Sequence, residues 1–267
     1  MEKYFDSLEP ITVLNRDGIE KTAEAKRKQV DSQIMDFIKG DKPDKDKEIY
    51  AYVLAMGDDR WGSNSNSDLF PYDQLNPHDT NEYGHETFLK AGLYNHHKNK
   101  NPKLSLGNIV MSIFNPIMHR VELIKRVDRQ LCKERDTCNI YDRLLDGELI
   151  PTSIGCRVSH DSCSVCHNKA KNKTEYCDHI KNSLGKIMPN GIKVMMINVK
   201  PVFFDDSFVT NPAFKPASVI SILEEKDGKN CLNGVCVVQV PKEFPSKPQK
   251  EEKHESSTEK TAQEKVT

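Results

Sequence analysis

The 267 residues carry 39 basic and 40 acidic side chains, and only 7% of them are aromatic. A near-zero net charge argues against a protein that coats nucleic acid through a broad basic face, and this length with so few aromatics suits one ordinary core with polar extensions. No apolar run approaches the ~20 residues of a membrane-spanning helix, and the opening MEKYFDSLEP lacks the apolar core of a signal peptide, so a reducing cytoplasm is the expected compartment.

Residues 1–45 read as an extension. Within it, 18–39 predicts one amphipathic helix, with Val30, Ile34, Phe37 and Ile38 on one face and Gly40 to end it. Such a stripe is expected to dock on the body of the protein. The charged DKPDKDKE at 41–48 is a linker by composition, and EIYAYVLAM at 48–56 is the first strong strand, rich in β-branched and aromatic residues. From residue 82 the chain predicts a short helix or turn, then a brief strand ending near Tyr94. LGNIVMSIF (106–114) and HRVELIKRV (119–127) predict a hairpin turning through Asn115-Pro116. A single helix is expected over 128–146, with Leu131, Cys138, Tyr141 and Leu145 on one face and Gly147 at its stop.

Residues 148–158 predict a strand carrying Ser153. A final strand pair is expected at 192–199 and 202–209, and a short helix at 217–224. The tail 242–267 holds 6 Lys and 6 Glu and almost nothing apolar. It cannot offset its ordering entropy by burial and is expected to be disordered. The body, 46–240, is therefore read as α+β and strand-dominated.

Eight cysteines in so long a chain, unevenly placed, do not suggest a disulfide scaffold. Cys132, Cys138, Cys156, Cys231 and Cys236 have no histidine at ligand spacing, whereas Cys163-x-x-Cys166 is followed by Cys177-x-His179. Three thiolates and an imidazole on two short knuckles can close tetrahedrally on Zn²⁺, which favours sulfur and nitrogen ligands. The intervening NKAKNKTEY is polar, as expected of a loop that needs a staple in place of a core. His160 and His167 are competing ligands. Four protein ligands leave no open position, so the site reads as structural. The loop lacks the flanking aromatic and basic surface that a nucleic-acid-binding knuckle needs.

A second chemistry is distributed more widely. Asn95-His96-His97-Lys98-Asn99 places two imidazoles at a strand exit, and VFFDDSFV at 202–209 puts Asp205 and Asp206 inside an apolar strand. Period-two alternation sends the two carboxylates to opposite faces, so one is expected to face inward, at a cost unless it finds a partner. Ser153, a histidine and an aspartate drawn from separate strands is the arrangement of a serine hydrolase. From spacing alone, the blander reading of a surface histidine pair and an edge-strand aspartate is favoured.

The succession NHHKN, hairpin, helix, PTSIGC, CSVC…YCDHI and FFDDSFVTNPA resembles the prohead (head maturation) proteases of tailed bacteriophages, in a branch with a zinc knuckle after the catalytic serine. The likeness covers residues 50–217 and leaves both ends unexplained. It implies a compact β-barrel related to the herpesvirus assemblins, with peripheral helices and a zinc-knuckle insertion at 160–190. It implies Ser153 as nucleophile, His97 of His97-Lys98-Asn99 as base with His96 as the lesser candidate, and Asp205 as the orienting carboxylate, the family's apolar position being taken here by Asp206. The implied substrates are scaffold or core protein and capsid-protein extensions, cut inside the assembling procapsid in the host cytoplasm, with no membrane and no nucleic-acid partner; a homo-oligomer is left open. Two rivals stand beside this reading. One is a cysteine peptidase using Cys156, whose side chain would face away from that of Ser153 on a regular strand. The other is a non-enzymatic, zinc-stapled virion or scaffold-binding protein.

Overall fold

Strand β1, Glu48–Gly57, alternates two apolar sets and is buried on both faces. Ile49, Ala51, Val53 and Ala55 enter the main core, while Tyr50 and Tyr52 enter a second cluster with Ile113, Ile124 and Leu223. Double burial belongs to a central strand. Accordingly β1 is antiparallel to both its neighbours, β4 (Arg120–Asp128) and β10 (Ser218–Lys226). In this computed structural model the described residues are 32–34, 36, 44, 46–136, 138–226, 229–232 and 235–236. They all belong to one compact unit, Met1–Val237. The expectation of a disordered tail lies outside the described residues. No helix among them is long and apolar enough to cross a membrane.

The predicted hairpin forms between β3 (Gly107–Asn115) and β4, one residue from the expected bounds. Asn115 shapes the turn, its Oδ1 accepting from the N–H groups of Ile117 and Met118 at 3.1 and 3.0 Å. With β11 (Lys229–Leu232) and β12 (Val235–Cys236) these strands make a six-stranded sheet, β12-β11-β10-β1-β4-β3. Of the N-terminal helix, Ser32, Gln33, Ile34 and Asp36 are described, and Ile34, 2% exposed, packs on the Tyr50–Tyr52 cluster. Docking on the body therefore holds at this residue. Val30, Phe37 and Ile38 lie outside the described residues.

Three expectations need correction. The single helix at 128–146 is two, α2 (Arg129–Arg135) and α3 (Ile140–Leu145), after a short α1 at Tyr72–Leu75. The break is made by Asp136, whose carboxylate takes the N–H of Cys138 at 2.7 Å and that of Ile140, as well as the Asn95 amide. The break resets the helical phase, so Cys132, Ile140, Tyr141 and Leu144 are buried while Leu145 is exposed. The helix expected at 217–224 is instead β10, where a run rich in β-branched residues, Val219, Ile220 and Ile222, pairs with β1.

The expected final strand pair also does not form. β8 (Met196–Val199) pairs with β6 (His160–Cys163) and with β2 (Asp68–Leu69), in a four-stranded sheet β2-β8-β6-β7 completed by β7 (Lys169–Ala170). β9 (Val202–Phe208) pairs with β5 (Thr152–Arg157) in a two-stranded sheet. The fold is thus mixed α+β and strand-dominated, and its ladders do not close into a barrel. Single bridges tie the small sheet to the large one: Pro151 to Ser218 on one side, Gly92 to Asp205, Asn95 to Phe208 and Gly92 to Asn108 on the other.

Candidate active site and metal centre

β9 organises the first site. On one flank the antiparallel register sets Ser153 opposite Ser207 and Gly155 opposite Asp205. On the other flank the extended residues 92–95 run beside β9: Phe208 N–H donates to the Tyr94 carbonyl at 2.8 Å, and His96 N–H to the Phe208 carbonyl at 2.9 Å. Immediately afterwards His96 and His97 both adopt left-handed backbone, with φ of 48° and 57°. Such residues cost of order 1–3 kcal/mol each and persist where the surroundings hold them. Here the His97 N–H donates to Ser207 Oγ at 3.2 Å, and the turn brings the imidazole back over the strand.

Asp205 is fully buried and saturated with donors: His97 Nδ1 at 2.7 Å, Asn99 Nδ2 at 2.7 Å and Ser207 Oγ at 2.6 Å. An ionised carboxylate only accepts, so Nδ1 carries the proton and Nε2 is left as the free acceptor. The hydrogen bond to Asp205 raises the His97 pKa above its ordinary value, against the opposing effect of partial burial. The imidazole remains 40% exposed, whereas Ser153 is 8% exposed. Both line a single cavity of 380 Å³. Two further site residues, Asn99 and Ser207, were not assigned roles from the sequence. Ser207 lies two positions from Asp205 on the same strand face, so period-two alternation could have found it. Gly155 is a third: a β-carbon there would meet Asp205 Cβ at 3.1 Å and Oδ2 at 3.3 Å, so its bareness lets β5 lie against the carboxylate.

The structure corrects the expectation that only one of the paired carboxylates faces inward. Asp206 is also fully buried, on the opposite face, where Lys125 Nζ approaches its Oδ2 to 2.8 Å and donates to its backbone carbonyl at 3.2 Å. The ammonium also sits 4.6 Å from the centre of the Phe208 ring. Burial pushes the Asp206 carboxyl up and the Lys125 ammonium down, and their mutual attraction opposes both shifts. Asp205 is therefore the member of the doublet that meets an imidazole, and that imidazole belongs to His97. The ladder slips between Gly155 and Cys156, and Cys156, like each residue from Thr152 to Gly155, lines the same cavity as Ser153. Its thiol is pushed up to about 12, chiefly by burial and then by Asp68 and Asp161, which makes it a poor source of thiolate.

The second site is local. Cys163, Cys166, Cys177 and His179 bring their ligand atoms within 4.8 Å of one another. Thiolates ~2.3 Å from a tetrahedral Zn²⁺ sit roughly 3.8 Å apart, so this set fits a metal such as zinc. Cys163 ends β6, and the chain turns back through a left-handed His167 whose N–H donates to the Cys163 carbonyl at 2.9 Å. The Val165 N–H lies 3.4 Å from Cys163 Sγ, and Cys177 precedes helix α4, Asp178–Ser183. Burial works against the Cys177 thiolate, but the Ile180 N–H and hydrogen bonds with Cys166, Cys163 and His179 outweigh it and bring the thiol down to about 7. His160 and His167 stand outside this set, His160 facing Ser159 Oγ at 3.0 Å. The loop is less core-poor than its composition suggested, since Cys163, Ile180 and Val194 form a small buried cluster.

Comparison with family models, with curated proteins and with solved structures gave no match.

Proposed function

We propose that this chain is a serine endopeptidase with Ser153 as nucleophile, His97 as general base and Asp205 as the orienting carboxylate. The observation that carries the proposal is the 2.7 Å contact between His97 Nδ1 and Asp205 Oδ2, made at the rim of a cavity that Ser153 also lines. His97 and Asp205 stand 108 positions apart in sequence, so local packing gives no reason for them to meet beside the cavity of Ser153. In the proposed reaction the Ser153 hydroxyl gives its proton to His97 Nε2 while its oxygen bonds the substrate carbonyl carbon. The imidazolium, stabilised by Asp205, then hands that proton to the leaving amine as the C–N bond breaks. Water enters by the same base and releases the acyl group from Ser153.

The likeness to prohead proteases extends the proposal to substrates and setting: scaffold or core protein and capsid-protein extensions, cut within the procapsid in the host cytoplasm. The single bridges joining β10, β5, β9, residues 92–95 and β3 support the barrel implied by that likeness, interrupted by turns. The metal is proposed to be a structural zinc, held by Cys163, Cys166, Cys177 and His179. Co-expression with scaffold and capsid proteins, read by intact mass, tests the reading. Wild type should yield discrete shorter products that Ser153→Ala does not. Identical masses from both would contradict it.

A further inference from the structure

The cavity beside Ser153 and His97 has a second wall, and that wall belongs to the metal-bearing sheet. β2 contributes Asp68, β6 contributes Asp161, and β8 contributes Met196 and Asn198. Tyr176, immediately before the ligand Cys177, reaches across to donate its hydroxyl to Asp161 Oδ2 at 2.6 Å and lines the cavity too. Among the described residues Asp68 is held by amides, Asn64 Nδ2 at 3.3 Å and Asn198 Nδ2 at 3.4 Å. Both carboxylates thus face the cavity with neutral donors. No lysine or arginine among the described residues lines it.

Asp68 is half-buried with no cation beside it, and burial, together with the neighbouring Asp161, raises its pKa. Structural ion pairs elsewhere in the molecule, such as Lys125 with Asp206, are completed by the chain itself. This one is not, and it opens onto the candidate nucleophile. The remaining lining is apolar at Phe70, Met196 and Phe214, which suits the methylene stem of a long basic side chain.

We infer that the Asp68–Asp161 wall is a specificity subsite that takes a lysine or arginine side chain of the substrate beside the scissile bond. The inference rests on the endopeptidase reading and adds its substrate class. In this arrangement the metal centre fixes more than its own loop, because Asp161 stands two residues before Cys163 and Tyr176 one residue before Cys177.

The test has two arms, both on the full-length chain. In the first, a mixture of synthetic peptides of varied sequence is incubated with wild type, Ser153→Ala, Asp68→Asn and Asp161→Asn, and cut sites are read by mass spectrometry. The asparagine variants keep size, Asp161→Asn can still accept from Tyr176 and Asp68→Asn from one of its two amides, and circular dichroism with zinc content confirms that they fold. Ser153-dependent cuts should cluster beside lysine or arginine, and the ratio of basic to neutral cuts should fall about tenfold in each asparagine variant, the loss expected for one charge partner worth about 1.4 kcal/mol. Ser153-dependent cutting without a basic preference, or with a preference that neither substitution alters, overturns the inference and leaves the peptidase reading standing. In the second arm n-butylguanidinium is titrated into Ser153→Ala and followed by NMR. Saturable binding weakened by Asp68→Asn and Asp161→Asn supports the subsite, and would do so even if the first arm showed no Ser153-dependent cutting, a result that would contradict only the peptidase reading. Absence of saturable binding overturns the subsite.

Discussion

Replacing Asp205 with asparagine probes the arrangement at its most constrained atom. The carboxylate receives three side-chain donors and is fully buried. An asparagine that still accepts from Ser207 at Oδ1 turns its amide N–H₂ toward His97 and Asn99, which share Oδ2, and so demands an acceptor at Nδ1 and places the ring proton on Nε2. Two losses then add. The charge-assisted bond to the imidazolium is worth about 2 kcal/mol, or about 30-fold in rate. The inverted tautomer removes the base altogether and takes the total toward about 10⁴-fold, the effect known for such triads. The pH dependence is a separate signature. Asp205 raises the His97 pKa above 6.5, and only the neutral ring accepts a proton. Acylation of Ser153 should therefore rise with pH along a limb centred above 6.5 in wild type, and the residual limb of Asp205→Asn should lie lower. The assay is the rate of labelling by a fluorophosphonate as a function of pH. Labelling within about tenfold of wild type, with the limb unmoved, would refute the role given to Asp205.

Lys125→Met should cost about 3–5 kcal/mol in urea denaturation by leaving the buried Asp206 without its cation, and Lys125→Met combined with Asp206→Leu should recover most of it; a single-variant loss under about 1 kcal/mol would contradict the ion pair's role. The purified chain should carry about one zinc, and chelation or Cys166→Ser should open residues 160–199 to limited proteolysis while β1, β3 and β4 resist. Metal-free protein with the same protease resistance counts against the staple. With its thiol pushed up to about 12, Cys156 should resist iodoacetamide at neutral pH, and alkylation should leave Ser153 labelling unchanged. Loss of labelling with Cys156 modified would favour the cysteine reading instead.

Local signals carried much of the architecture. The doubly apolar run at 48–57, the hairpin about Asn115 and the knuckles at 163–179 depend on neighbours in sequence, and they lie where periodicity and ligand spacing put them. Asp205 and His97 meet, a pairing that the likeness implied and that spacing alone did not favour. What was illegible depends on partners far along the chain. Asp136 breaks a helix whose apolar spacing looked continuous, because its carboxylate captures two backbone N–H groups and Asn95. The run at 219–222, rich in β-branched residues, becomes a strand because the edge of β1 is there to receive it. β8 and β9 look like a hairpin on either side of Lys200, yet the turn sends them into different sheets. Alternation let only one of the paired carboxylates face inward, and both are buried because Lys125, on β4, supplies Asp206 with a counter-charge. The one-residue slip in the β5–β9 ladder beside Gly155, next to the cavity that Cys156 lines, has no signature in the spacing.

The most direct measurement is covalent capture of the proposed nucleophile. Full-length protein is treated with a fluorophosphonate at a pH above the His97 limb, and intact mass and peptide mapping locate the adduct. The account predicts a single phosphonyl group on Ser153, abolished by Ser153→Ala and slowed by several orders of magnitude in His97→Ala. Labelling that is absent from folded wild type, or that persists undiminished in Ser153→Ala, would contradict it.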